Sequence, residues 1–139
     1  MTNKVPCGGF IIFSNDKTKL VLVKTPNDVY SFPKGKRESG EDIYKCSLRE
    51  LYEETSISET MFTSMGPDTY VEEISNSGKS VAIRLFVGIL NSDVDTSTIK
   101  PIDTEELSSA GFYTIEQAYN LLQEKRKIVL KRVLELIKN

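Results

Sequence analysis

At 139 residues, 39% of them hydrophobic, the chain has room for one domain with a real core, and residues 1–139 are read as a single unit. Its 18 lysines and arginines against 20 acidic residues leave a net charge of −2, which excludes a basic coat for duplex DNA or RNA, and no apolar run is long enough for a spanning helix. Histidine is absent, which excludes Ser-His-Asp and Cys-His nucleophiles, His-ligated zinc and imidazole bases. Catalysis must then run on carboxylates, lysine, tyrosine or an oxygen-held metal.

The opening Met-Thr-Asn-Lys lacks the basic-then-apolar layout of a secretory leader, so a soluble, cytoplasmic protein is expected. Val5–Phe13 and Leu20–Lys24 are β-branched and apolar, and the turn residues Ser14-Asn15-Asp16-Lys17 between them predict an antiparallel hairpin. Asn27-Asp28 marks a turn, Tyr30–Phe32 is a short extended piece ended by Pro33, and Lys34–Gly40 reads as a polar loop. Glu41 to about Thr55 predicts a helix. Ser39 and Asp42 have capping-box spacing, Glu41 and Asp42 fall in the first turn, and Ile43, Cys46, Leu48 and Leu51 mark an apolar side. Cys7 and Cys46 have no CxxC spacing and are expected as reduced, buried thiols.

Strand patterns return at Met61–Met65, Thr69–Ile74 and Val81–Leu90, the last two joined by a turn at Asn76-Ser-Gly78. Residues 91–104 form a polar loop, Leu107–Tyr113 is extended and Ile115–Leu122 is helical. A last helix covers about 125–138, with Ile128, Val129, Val133, Leu134, Leu136 and Ile137 expected to be buried. It carries six basic residues against one glutamate, which is read as a solvated basic face rather than an RNA-binding one. A sheet-rich first half, an interior helix and a helical tail predict a mixed α/β domain.

The chemistry concentrates in Gly35–Ile57, GKRESGEDIYKCSLRELYEETSI. Glu50, Glu53 and Glu54 stand three and four residues apart and project from one side of the predicted helix. Like charges on adjacent turns repel, and Glu53 and Glu54 sit at the C-terminal end, where the helix dipole opposes them by a few tenths of a kcal/mol each. Arg49, four residues before Glu53, offsets part of this. A conflict of this kind marks a functional site, and a hard divalent cation held by oxygen resolves it.

Gly35, five residues, Glu41, seven residues, then Arg49-Glu50-Leu51-Tyr52-Glu53-Glu54 and Ile57: this spacing resembles the Nudix box. It departs only at Ser56, where the pattern has a glycine that ends the helix with positive φ; a serine there costs about 1 kcal/mol. The resemblance implies an α/β fold, a Nudix-type α/β/α sandwich in which a loop–helix–loop box packs on a mixed sheet. Ser31–Lys36, Lys45–Glu50 and Val5-Pro6 are most similar to the catalytic domain of mRNA decapping enzymes. Pro33-Lys34-Gly35 is shared with dinucleoside and diphosphoinositol polyphosphate hydrolases.

The resemblance implies a Mg²⁺- or Mn²⁺-dependent hydrolase acting on a phosphoanhydride in a nucleoside diphosphate linked to a group X. The substrate class is a 5′-capped RNA or a dinucleoside polyphosphate, with no duplex DNA or membrane partner. Monomer and homodimer stay open. The alternatives are diphosphoinositol polyphosphate hydrolysis, with Lys34, Lys36, Arg37 and Arg84 as a basic pocket, and a catalytically silent nucleotide-binding domain. By position in the box, Glu50 and Glu54 are metal ligands with the Gly35 carbonyl, Glu53 is a ligand or general base, and Arg49 holds Glu53. Glu41 is a supporting partner, Glu106 a further ligand or base within the Asp103–Glu106 acidic turn, and Lys34 and Lys36 contact substrate phosphates. Arg84 is read as the solvent side of its strand, and Tyr30, Phe32, Tyr70 and Phe112 as core rather than base-stacking residues.

Overall fold

The computed structural model describes residues 5–102 and 106–138. Residues 1–4 and Asp103, Thr104 and Glu105 of the predicted acidic turn lie outside them. Cys7–Phe13 (β1) and Val81–Leu90 (β7) run parallel at the centre of a mixed sheet, in register from Cys7↔Ile83 to Phe13↔Ile89. Both are covered on two faces, so β1 reads as a nearly unbroken apolar run. Between them in the chain come β2 (Lys19–Lys24), β3 (Tyr30–Ser31), β4 (Lys34–Lys36), β5 (Phe62–Ser64) and β6 (Tyr70–Ile74); β8 (Ser109–Thr114) follows β7. The sheet order is β3-β2-β1-β7-β5, with β4 on β1, β6 on β7 and β8 on β2.

Two strand expectations change. The β1–β2 hairpin meets at a single pair, Phe13↔Leu20, while β2 pairs with β8 along its whole length, Lys19↔Thr114 to Lys24↔Ser109. The freed edge of β1 is taken by Lys34–Lys36, which is a strand and not a polar loop, with Gly9↔Lys34, Gly8↔Gly35 and Cys7↔Lys36 in antiparallel register. The β6–β7 turn forms as expected, Ser75 N–H donating to the Ser80 carbonyl at 2.8 Å, and Gly78 supplies the positive φ of 75°. Met61–Met65 shortens to β5, preceded by one 3₁₀ turn at Glu59–Met61.

Helix α1 (Ile43–Thr55) packs Leu51 on one face of the sheet with Phe10, Ile12, Val21, Phe62 and Phe86. Helices α2 (Ile115–Leu121) and α3 (Glu124–Leu136) cover the other face over Ile11, Phe13, Leu20, Leu22, Ile83, Leu85 and Val87, completing the α/β/α layering. Asp42, not Ser39, caps α1, accepting from the Tyr44 and Lys45 N–H groups at 3.0 and 3.2 Å, so Glu41 precedes the helix instead of entering its first turn. In α3 the buried stripe is Val129, Leu130, Val133 and Ile137. Ile128 and Leu136 are exposed, contrary to expectation, because they lie off this i, i+4, i+7 face. Among the described residues no helix is long and apolar enough to cross a membrane.

Candidate active site

Helix α1 is placed by its apolar side on the sheet, which turns Glu50, Glu53 and Glu54 toward Ile102, Glu106 and Leu107. Together with Glu106, Ile102 and Leu107 these three line a cleft of about 310 Å³. The segment before Asp103 is fastened to the end of α1: Lys100 N–H donates to the Thr55 carbonyl at 3.0 Å and Ile102 N–H to the Glu53 carbonyl at 2.9 Å. Two helix-end carbonyls that have no partner inside the helix are thereby satisfied. Ser56 ends α1 in the left-handed region, φ 68°, and its hydroxyl donates to the Lys100 carbonyl at 2.7 Å.

From the sheet side comes β4. Gly35 lies so close to Glu50 that a Cβ at this position would fall on the carboxylate, so only glycine lets the strand approach. The Lys34 N–H donates to Glu54 Oε1 at 3.1 Å. The side chains of Lys34 and Lys36 do not line the acidic cleft; opposite Gly9 and Cys7 they project from the other face of the strand to Gly35. Arg84 pairs with Glu72 at 2.9 Å and stacks on Tyr70, beneath α1's side of the sheet. Lys36 and Arg37 border one hollow and Arg84 another, so Lys34, Lys36, Arg37 and Arg84 do not converge on one basic pocket.

Arg49 ties the acidic groups together. Its Nε and Nη2 donate to the two Glu41 oxygens at 2.8 and 2.9 Å, Nη1 to Glu50 Oε2 at 2.8 Å and to Glu53 at 3.3 Å, and Nη2 also to the Lys36 carbonyl at 3.1 Å. Hydrogen bonds from Arg49 hold the Glu41 carboxyl at about 2, well below its usual range. The same contacts, Glu41 first, raise the Arg49 guanidinium further. Burial raises Glu50 despite Arg49, and pushes Glu54 up to about 7. Burial also lifts the Cys46 thiol to about 11, so this sulfur stays protonated and unreactive.

The donor set suits a hard divalent cation. Among the described residues four carboxylates share one cleft, two of them partly desolvated, and the other lining side chains are apolar. Among the described residues no three acidic or thiol side chains close around a single point as they stand, and Arg49 draws oxygens of Glu50 and Glu53 to itself. A cation held in the cleft would take these oxygens in place of Arg49.

The family model for the NUDIX domain matches residues 8–136. The chain belongs to the Nudix family. Among curated proteins it is similar to the mRNA-decapping enzyme subunit 2 of Saccharomyces cerevisiae, 33% identical over 86 residues, 61% of this chain and 9% of that protein. The Arabidopsis thaliana mRNA-decapping enzyme subunit 2 is 25% identical over 114 residues, 81% of this chain and 29% of that protein. The Nudix chain thus spans less than a third of the length of either relative. Among solved structures, a binary complex of the C. elegans Ap4A hydrolase superposes with a TM-score of 0.78 at 19% identity, covering 94% of this chain and 97% of that one. The E. coli dihydroneopterin triphosphate pyrophosphohydrolase follows the same fold, with a TM-score of 0.69 at 18% identity and coverage of 96% and 99%.

The box spacing found the three helix glutamates. It missed the Lys34 N–H, Ile102 and Leu107, for which neither composition nor periodicity gives a signal. Of the aromatic residues, Phe32 is core, Tyr30 stacks edge-on against Tyr113, and Tyr70 covers Arg84.

Proposed function

We propose that this chain is a Mg²⁺-dependent Nudix pyrophosphohydrolase that cleaves a phosphoanhydride within a polyphosphate-bridged nucleotide, a 5′-capped RNA or a dinucleoside polyphosphate. The observation that carries this reading is the single cleft lined by Glu50, Glu53, Glu54 and Glu106. Similarity to decapping enzymes in sequence and to an Ap4A hydrolase in fold supports the substrate class. Glu50 and Glu54 with the Gly35 carbonyl would hold the cation, joined by Glu53 and by Glu106. When bound, the cation supplies charge neutralisation to the phosphates and lowers the pKa of a coordinated water.

The chain's own groups do the rest. Arg49 keeps Glu53 at the mouth of the cleft as ligand or general base, and Glu41 in turn fixes Arg49 through two short bonds. The Lys34 N–H orients Glu54, and Ile102 and Leu107 supply the apolar part of the cleft lining. Only Lys36 and Arg37 of the four expected cations border a common hollow, and Arg84 is paired with Glu72, which speaks against a diphosphoinositol substrate with its many phosphates.

Chromatographic separation of the nucleotide products from a panel of capped RNA, dinucleoside polyphosphates and nucleoside triphosphates, with and without Mg²⁺ or Mn²⁺, tests the proposal, because water enters one phosphoanhydride and leaves two phosphorylated fragments. Glu54→Gln is expected to lower turnover by about 100-fold or more while the circular dichroism spectrum stays unchanged. Wild-type turnover in that variant would refute the assigned roles.

A further inference from the structure

The apolar stripe of α3 begins with a charge. Arg126, one turn before Val129 and Leu130, lies against Glu73 of β6; their side chains are only 14% and 10% exposed. Its Nε donates to Glu73 Oε1 at 3.2 Å, and its Nη1 donates to the Tyr30 carbonyl of β3, also at 3.2 Å. Taking two ions out of water costs several kcal/mol each, so a buried pair is a poor device for stability alone. The guanidinium fork does something an apolar residue cannot: it joins one helix to two strands that are not neighbours in the sheet.

Tyr30 opens the run that ends in the acidic cleft. Four residues on, an extended distance of about 13 Å, the Lys34 N–H meets Glu54, and Gly35 lies against Glu50. In the middle of the run Phe32 is buried and the Pro33 carbonyl accepts from the Phe10 N–H at 3.1 Å. The outer end is held on two sides, by β2 through the pairs Lys24↔Tyr30 and Val23↔Ser31 and by Arg126 at the Tyr30 carbonyl. We propose that Arg126 is a positioning residue: with its guanidinium oriented by Glu73, it fastens the Tyr30 carbonyl to α3 and so fixes where β4 delivers the Lys34 N–H and the Gly35 carbonyl. The functional half of this inference rests on the hydrolytic reading of the cleft; the structural half does not.

The test pairs amide hydrogen exchange on the metal-free, substrate-free protein with steady-state kinetics on a dinucleoside tetraphosphate in Mg²⁺. Arg126→Met is compared with Val129→Ala, which weakens the packing of the same helix but leaves both Arg126 bonds in place. In Arg126→Met the Lys34 amide is expected to exchange about tenfold faster, with amides of β1 and β7 unchanged, and kcat to fall about tenfold at constant KM. Val129→Ala is expected to lower the melting temperature without either effect. Arg126→Lys keeps the charge beside Glu73 but offers one ammonium to two acceptors. It is expected to show the same pattern at smaller amplitude, and it decides the matter should the Met variant not fold. A Lys34 amide that exchanges alike in wild type and Arg126→Met, or equally fast in Val129→Ala, overturns the proposal, whether or not the substrate is turned over.

Discussion

The contact that organises the acidic cleft is the grip of Glu41 on Arg49. With Glu41 satisfied through both oxygens, Arg49 is free to pivot only over Glu50 and Glu53, and the repulsion along α1 is offset without consuming Glu54. The pair also carries a pH signature. The folded-state value of Glu41 is about 2 against an ordinary 4.5, so its contribution is complete above pH 4.5 and is lost as pH falls through 2. The stability difference between wild type and Glu41→Gln, followed by urea unfolding, is expected to stay constant from pH 8 to 5 and to shrink steadily below 4.5. A difference that grows toward acid would show the sign to be wrong.

At the scale of the element, α1 is set by its two ends. Asp42 satisfies its first N–H groups, and Ser56 turns the chain out through a conformation that suits glycine. The serine stays because its hydroxyl reaches the Lys100 carbonyl, tying the helix end to the segment that walls the cleft. Ser56→Ala removes that bond and keeps the strained Cβ, and is expected to cost about 1 kcal/mol in chemical denaturation. Ser56→Gly loses the bond but relieves the strain, so it should be more stable than the alanine variant by about 1 kcal/mol. The box spacing made α1 and its three glutamates legible, and apolar runs did the same for β1, β2, β6 and β7. The strand β4 was not legible: Lys-Gly-Lys has no strand pattern, and it is recruited by the backbone of β1, not by its own side chains. The N-cap was misplaced because Ser39 and Asp42 both fit a helix start, and only the fold of Glu41 back onto Glu38 decides between them. The cleft walls escaped notice because Ile102 and Leu107 lie about fifty residues from the glutamates they face.

For the molecule as a whole, a cation that binds the folded cleft and not the unfolded chain must stabilise it by mass action. At a hundred times its dissociation constant the gain is about 2.7 kcal/mol. Mg²⁺ at constant ionic strength is therefore expected to raise the melting temperature of the wild type by several degrees and to leave Glu54→Gln nearly unmoved. Equal shifts in both would mean that the ion acts elsewhere. The sheet itself imposes an order on how this molecule is made. Its central parallel pair joins residues seventy-six apart, and β2 gains its long partner only when Ser109–Thr114 is present. A nascent chain emerging from the ribosome thus has no partner for this edge of Lys19–Lys24 until Ser109–Thr114, about ninety residues further on, has followed it. During that interval the edge is open to strands of other chains, and fast translation or a chaperone is what keeps it from pairing wrongly.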